Sequence, residues 1–404
     1  MKKVWPLFVG LSLIGVFIGA SGSLLGLRAA YEGFDTWVTG LIMSANYVGF
    51  LLGAFRVPKI IKRVGHIRAF AALTALSSVT ILLHPLLIDP WVWAVMRLLT
   101  GFASCGIYIV VESWLNQMAD KNNRGQLLAL YMVTYLSGLA AGQVLLNVAV
   151  ASSYELFSLL SVLISLAAIP ILIVALPVPV FDSPASVNLK SLFRWAPSGV
   201  LGAFAIQCCL AMIFGMGAVY AHQRGFNTAQ VASFMSAMIL GGMLAQWPLG
   251  KLSDLLDRRS VIAVVASLAC GCATLLAQGS GALDLNTLLL SACFGALCMP
   301  LLAIYQALTN DDLDRGRMVG ASSTLLMVGG IGATAGPIVV SVAMDKWGTG
   351  SFFWCLALLC GLMAVYALYR RIFYPKKTEH QRTAFQVRAN TTMGTVVPPD
   401  NIAD

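Results

Sequence analysis

The sequence predicts an all-α integral membrane protein with twelve transmembrane helices in two six-helix repeats. The 404 residues are 58% hydrophobic and only 11% charged, which is typical of a chain whose main surroundings are lipid. Its apolar runs are long enough to span a bilayer as helices and lack the short alternating pattern of a membrane β-barrel. One stretch also recurs 192 residues later along the chain. Together these observations predict a duplicated bundle of membrane helices.

Twelve apolar segments define the predicted spans. They lie near residues 5–30, 37–55, 69–88, 91–118, 125–149, 155–176, 198–221, 229–249, 260–279, 286–308, 318–343 and 351–369. The first follows Lys2 and Lys3 but lacks a small-residue cleavage site, so we interpret it as a retained helix. All nine cysteines fall within predicted spans, without metal-ligand spacing, and we expect neither a metal site nor disulfides.

The internal repeat divides the chain into two halves. The stretch GFDTWVTGLIMSANYVG at Gly33–Gly49 recurs as GFNTAQVASFMSAMILG at Gly225–Gly241. A shorter echo, NRG at Asn123–Gly125 and DRG at Asp314–Gly316, has an offset of 191 residues. Each half therefore holds six spans, and two parallel six-helix repeats are typical of a transporter fold.

These offsets give four predicted regions. Residues 1–176 and 198–370 form the two six-helix bundles, and the proline-rich stretch 177–197 links them. Within the linker, Leu189–Trp195 is a candidate for a short helix on the membrane surface. Residues 371–404 begin basic and lack a periodic apolar face, so we predict a disordered tail.

The basic residues predict the orientation. With an even number of spans, 22 of the 26 lysines and arginines lie at one side of the membrane, in loops and tails. The positive-inside rule places that side, with both termini, in the cytoplasm. The net charge of +9 is then explained by contact with anionic lipid, and we expect no nucleic-acid partner.

Several motifs resemble those of the major facilitator superfamily. GKLSDLLDRR at Gly250–Arg259 resembles its loop motif after the eighth span, and RLLTGFA at Arg97–Ala103 resembles its Arg-x-x-x-Gly pattern in the fourth. VESWLN and VGHIRAF resemble a bacterial branch whose substrates are poorly defined. The resemblance implies a cytoplasmic gate at Gly250, Asp254, Arg258 and Arg259, with Asp254 docked at the start of the fifth helix near Gly125.

Two stretches depart from the family pattern. In the N-terminal half the equivalent loop has Pro58 where the motif has glycine and Lys62 where it has aspartate. The Gly-Pro pair of the antiporter pattern stands in the eleventh span, at Gly332–Pro337, rather than in the fifth. The chain is therefore not expected to be a typical drug antiporter.

The fourth span carries one polar stripe. Arg97, Gly101, Ser104, Tyr108 and Glu112 are spaced by three or four residues and so share one face of a helix. The resemblance implies that this helix, like the first and seventh, lines a central cavity. The stripe therefore predicts polar contacts inside the cavity.

Each charged residue of these spans has alternative interpretations. Arg28 and Arg97 either extend to the membrane interface or form a positive cavity wall, which would favour an anionic substrate or tune a proton carrier. Glu112 either forms a cytoplasmic latch with the basic cluster Lys62, Arg63, His66 and Arg68, or carries the coupling proton. A helix–helix hydrogen bond is the third interpretation of Glu112.

The remaining predicted cavity residues are uncharged. They are Asn46, Tyr131, Tyr135, Gln143 and Asn147 in the N-terminal half and Gln207, Tyr220, Gln246 and Tyr305 in the C-terminal half. Aromatic rings and amides suit an amphipathic organic molecule, although each also suits contact between helices.

The sequence thus predicts a monomeric secondary transporter that moves a small organic solute by alternating access and is coupled to protons. The alternatives are a uniporter and a transporter-like sensor that binds solute without moving it. We expect no cofactor beyond the proton gradient, and no enzymatic activity, since the sequence lacks a phosphate-binding loop and a soluble catalytic domain.

Overall fold

A computed structural model describes residues 5–118, 124–173, 188–279, 283–313 and 318–373. Regular structure in these ranges is helical throughout. The helices are α1 Trp5–Tyr31, α2 Thr36–Val64, α3 His66–Leu83, α4 Pro90–Met118, α5 Arg124–Leu145, α6 Glu155–Ile173, α7 Leu189–Trp195, α8 Pro197–Gln223, α9 Thr228–Leu255, α10 Arg258–Gln278, α11 Leu285–Cys298, α12 Leu301–Asp311, α13 Met318–Trp347 and α14 Ser351–Phe373.

The predicted spans match the helices of the described ranges. Eleven helical segments are long and apolar enough to cross a bilayer, and Ala129–Leu145 within α5 is a shorter apolar helix. Helices α11 and α12 form a single segment, Leu285–Asp311, that is interrupted before Leu301 by Pro300, which has no backbone N–H to donate. The prediction of twelve spans in an all-α membrane protein is confirmed.

Successive spans alternate in direction, so the two ends of the bundle can be named by the chain. The start of α1 and the end of α14 lie at one end, here called the terminal end, and the loops α1–α2 and α8–α9 lie at the opposite end. Helix α14 continues to Phe373, three residues into the predicted tail. Residues 374–404 of that tail lie outside the described part of the chain.

The repeat has a backbone counterpart. Gly33 and Gly225 both adopt positive φ, 73° and 85°, which glycine accepts without strain. Three residues later, α2 begins at Thr36 and α9 at Thr228, the offset seen in the sequence. The shared Gly-Phe-x-Thr motif thus sets the turn into the second helix of each half.

Glycines also place the same helix crossing in both halves. In the N-terminal half, a side chain on Gly49 would collide with the backbone of α4 at Leu98, and one on Gly101 with the backbone of α2 at Asn46. These close approaches bring α2 and α4 into backbone contact and fix where their polar residues face.

The C-terminal half repeats this crossing between α9 and α11. Gly241 lies against the backbone of Ala292, and Gly295 lies against the backbone of Met238. Gly241 stands 192 residues after Gly49, so the glycine that permits the first crossing is repeated with the motif.

The linker contains the predicted short helix, α7. Asn188 caps its first turn by accepting a hydrogen bond from the Lys190 amide at 3.0 Å. Leu192 is buried in a small cluster with Val200 and Leu325, whereas Phe193 is exposed. Placement of α7 on the membrane surface stays a prediction, and linker residues 177–187 lie outside the described ranges.

Candidate functional site

A cavity of about 140 Å³ lies between the two halves of the bundle. Its walls come from α1, α2, α4 and α5 on one side and from α8 and α13 on the other. The lining includes six of the predicted cavity residues: Asn46, Arg97, Tyr108, Tyr135, Gln143 and Gln207. Ser104 of the α4 stripe also lines it, so the spacing on α4 correctly predicted the face that meets the cavity.

Arg97 is the charged residue of this wall. Only 6% of its surface is exposed, and its Nε atom is buried with no hydrogen-bond partner among the described residues. Asn46 and Gln207 add amide groups from α2 and α8. A cation and amides from both halves thus face the same space.

Gln143 has a different role in the wall. Its side-chain oxygen accepts a hydrogen bond from Ser23 at 3.0 Å, and its amide nitrogen donates to the backbone oxygen of Gly19. Both contacts join α5 to α1 within the N-terminal half. Gln143 therefore ties two walls of the cavity together and has fewer hydrogen-bonding atoms left for a ligand.

A group of tyrosines connects the cavity with Glu112. The Tyr108 and Tyr135 hydroxyls are 2.7 Å apart, and the ring of Tyr131 stacks on Tyr135 with centroids separated by 6.5 Å. The Tyr131 hydroxyl donates to Glu112 Oε1 at 3.3 Å. Glu112 is only 6% exposed, and neither it nor Tyr131 lines the cavity. Both were predicted to line it and instead lie behind its tyrosine wall, toward the terminal end.

An ion pair between Glu112 and Arg63 is absent from the described residues, whereas a latch between Glu112 and the wider cluster with Lys62, His66 and Arg68 stays a prediction. Arg63 lies exposed near the end of α2 and makes no ion pair in the described part of the chain. His66, from the same basic cluster, packs its ring near that of Trp114, with centroids 6.3 Å apart. This ring contact packs the first residue of α3 against α4.

Arg28 also lies outside the cavity. Its Nη2 atom is 2.7 Å from Oε1 of Glu32, the residue that follows the end of α1, and its guanidinium lies 6.0 Å from the ring centroid of Phe157 on α6. The ion pair and the ring provide partners for this charge inside the N-terminal half. Arg28 is therefore paired away from the described cavity, where the prediction had placed it in the wall.

Tyr220 is likewise misplaced by the prediction. Its ring stacks on Phe352 with centroids 4.8 Å apart and meets Phe353 edge to face at 5.1 Å. The Arg224 guanidinium lies 5.6 Å from the same ring. Tyr220 therefore belongs to an aromatic cluster within the C-terminal half and does not line the described cavity.

The other uncharged candidates serve contacts outside the cavity. Asn147 lies exposed beyond the end of α5 and donates to the backbone oxygen of Val144. Tyr305 is buried against Gly202, and Gln246 is buried on α9. None of the three lines the cavity.

The loop motif forms a charge network at the terminal end of the C-terminal half. Arg258, with a side chain only 2% exposed, lies 3.0 Å from Asp254 and 2.9 Å from Asp311. Arg259 lies 3.9 Å from Asp312. Buried Gly250 precedes these residues on α9. The network joins α9, α10 and the end of α12.

The contacts of this network do not test the predicted docking of Asp254 near Gly125. The side-chain environment at the start of α5 lies outside what the structure describes. Asp254 as a latch between the halves therefore stays a prediction, whereas its pairing with Arg258 inside one half is observed.

Contacts between the halves are found at the opposite end. Gln223 donates to the Thr36 hydroxyl at 2.8 Å, and the rings of Tyr31 and His222 meet with centroids 5.0 Å apart. Gly40 packs against Ser341, where a larger residue would collide. The halves are thus held together by side chains beyond the cavity at this end.

The sequence did not predict the apolar part of the lining. Tyr47, Phe50 and Phe214 line the cavity beside the polar groups. Phe50 follows Asn46 by four residues on α2, so the helical period that starts from Asn46 would have found it, whereas Tyr47 is adjacent in sequence and lies outside that spacing.

A family model described as Major Facilitator Superfamily matches residues 7–334. An uncharacterised MFS-type transporter of Yersinia enterocolitica is 27% identical over 396 residues, which cover 95% of this chain and 98% of that protein. The uncharacterised MFS-type transporter YcaD of Escherichia fergusonii is 26% identical over 360 residues, 88% of this chain and 92% of the relative.

Solved structures share the fold. The nucleoside transporter NupG superposes with a TM-score of 0.72 at 15% identity, covering 93% of this chain and 100% of that chain. A bacterial homologue of the human lysosomal transporter Spinster, in an inward-facing and unoccupied conformation, has a TM-score of 0.70 at 12% identity and covers 92% and 95% of the two chains.

Proposed function

The chain belongs to the major facilitator superfamily, whose members are membrane solute transporters and not enzymes, and we propose that it is a proton-coupled secondary transporter of a small organic solute. The observation that carries the proposal is a polar cavity between two repeated halves that touch beyond it at one end. Such halves can rock about a central site and expose it to each side in turn.

The proposed setting is a bacterial inner membrane, with the protein acting as a monomer. The basic loops at the terminal end support a cytoplasmic location for that end and for both termini. The contacts between Thr36 and Gln223 and between Tyr31 and His222 would then close the periplasmic side.

Glu112 is the proposed proton site. It is buried, it accepts a hydrogen bond from Tyr131, and the tyrosine group connects it to the cavity wall. A buried carboxyl in a membrane bundle is costly while ionised, so proton uptake and release there can accompany a change between two arrangements of the helices.

Transport can be tested with purified protein in proteoliposomes. The probes are benzenesulfonate, uridine and benzyltrimethylammonium, which are anionic, neutral and cationic, under pH gradients of either sign. We expect protein-dependent accumulation of at least one probe that follows the gradient. Flux that ignores the gradient would indicate a uniporter, and binding without flux would indicate a sensor, so either result would overturn the proposal.

A second prediction concerns Glu112→Gln, which keeps the size of the side chain but cannot ionise. We expect uphill accumulation to be lost while exchange of labelled for unlabelled probe continues, because exchange needs no net protonation step. Arg63→Gln serves as the matched control, since Arg63 is exposed and unpaired in the described structure. Intact uphill accumulation in Glu112→Gln would remove this residue from the coupling mechanism.

A further inference from the structure

Three arginines are buried in the described part of the chain, and two of them face carboxylates. Arg28 lies 2.7 Å from Glu32, and Arg258 lies within 3.0 Å of both Asp254 and Asp311. Arg97 makes neither an ion pair nor a hydrogen bond with described residues, although only 6% of its surface is exposed. A buried charge without a partner is costly to a fold, and an anion bound beside Arg97 would compensate it.

The cavity around Arg97 offers no compensating charge. Its described lining contains no aspartate, glutamate, lysine or histidine, so Arg97 is the sole ionised group among the lining residues. Asn46 and Gln207 also make no side-chain hydrogen bond within the described structure, in contrast to Gln143, which binds Ser23 and Gly19. One guanidinium and two amides are therefore available to an occupant as hydrogen-bond donors.

We infer that the cavity selects a small organic anion, with its carboxylate or sulfonate group at Arg97. This inference rests on the proposed transport function, because it names the class of solute that the same cavity carries. The planar fork of the guanidinium suits two oxygens of one anionic group. The amides of Asn46 on α2 and Gln207 on α8 come from opposite halves, so an anion that contacts both would link the two halves.

The remaining walls define the body of the ligand. Tyr47, Phe50, Leu210 and Phe214 present ring and aliphatic surface to the cavity. Its volume of about 140 Å³ is close to that of an engineered apolar cavity, about 150 Å³, that accepts benzene. The occupant in this conformation is thus an anion with one ring or a comparable apolar body, of the size of benzoate or benzenesulfonate.

Binding can be measured without transport. Purified protein in detergent is titrated with benzoate, benzenesulfonate, benzyl alcohol and benzyltrimethylammonium by isothermal calorimetry, with thermal-shift measurements in parallel. We expect at least one of the two anions to bind, and the alcohol and the cation to bind more than about tenfold more weakly, since a hydrogen-bonded charge is lost. Equal binding of the neutral or cationic probe would overturn the inference.

The decisive variant is Arg97→Gln. We expect the affinity for the anion to fall more than about tenfold and the preference over benzyl alcohol to disappear. Arg97→Lys keeps the charge and is expected to retain part of the preference, which a merely structural arginine would not predict. Arg56→Gln, an exposed arginine on α2, is the matched control, and elution as a single species by size exclusion checks folding in each variant.

The two proposals can fail separately. Anion binding without flux in proteoliposomes would overturn transport but leave the anion site in place. Flux of uridine or benzyltrimethylammonium without anion binding would overturn the anion site but leave transport in place. Retained anion preference in Arg97→Gln would show that another group provides it and would contradict the assignment of Arg97.

Discussion

Replacing Arg258 by methionine is expected to destabilise the C-terminal half more than any other single arginine change at the terminal end. The variant removes the guanidinium that lies 3.0 Å from Asp254 and 2.9 Å from Asp311. The Arg258–Asp311 pair is the more buried of the two, and removing one partner of a buried ion pair typically costs about 3–5 kcal/mol. Detergent extracts are heated and then run on a size-exclusion column. We expect the temperature at which half of the monodisperse peak is lost to be lower for the variant than for the wild type.

The matched control is Arg56→Met, which makes the same chemical change at an exposed position of α2. Its effect should be small, since isolated surface charges contribute little to stability. A double variant, Arg258→Met with Asp311→Asn, should recover part of the lost thermal stability, because it removes the Asp311 charge as well. Equal thermal stability of wild type and Arg258→Met would show that the network does not hold α9, α10 and α12 together.

The fold was predictable because its main signals are local and repeated. Apolar length gave the spans, and the Gly-Phe-x-Thr motif gave the offset between the halves. The same motif proves to set a positive φ before α2 and α9. The break between α11 and α12 was not predicted, since the apolar run continues through Pro300 and hydropathy does not register a missing N–H donor.

The cavity was predictable only where one helix carried its own pattern. Spacing along α4 identified the face of Arg97, Ser104 and Tyr108, because residues three or four apart share a face in any helix. Depth in the membrane could not distinguish Arg28 from Arg97. What separates them is Glu32, which follows the end of α1 four residues after Arg28 and pairs with it.

Partners on other helices explain the remaining errors. Tyr220 and Tyr135 look alike in sequence, but one meets Phe352 and Phe353 and the other meets Tyr108 and the cavity. Glu112 was singled out as an acid inside a span, and the structure places it at only 6% exposure. Its contact with Tyr131 comes from the packing of α4 with α5, which the spacing on α4 alone cannot reveal.

The contact between Thr36 and Gln223 allows a direct test of alternating access. The two side chains are joined across the halves by a hydrogen bond of 2.8 Å at the opposite end of the bundle. If the cavity must open toward that end during each cycle, the two positions must separate. We expect a short bifunctional methanethiosulfonate reagent to link Thr36→Cys to Gln223→Cys and to abolish flux of the probe that moves in the vesicle assay.

Flux should stop completely in linked molecules and return when dithiothreitol cleaves the linkage. The reason is that the link prevents the two halves from separating but leaves the cavity unchanged. Each single-cysteine variant should keep its flux after the same treatment, which excludes an effect of the reagent on the native cysteines.

The matched control is the pair Arg224→Cys with Gly350→Cys. Both positions lie at the same end of the bundle but within the C-terminal half, where Arg224 Nη2 lies 3.5 Å from the position that a Cβ on Gly350 would take. Halves that move as rigid bodies should tolerate that second link. Undiminished flux in a protein fully linked between Thr36→Cys and Gln223→Cys would mean that the halves need not separate at this end. It would rule out a rocking motion of the halves as the mechanism of transport.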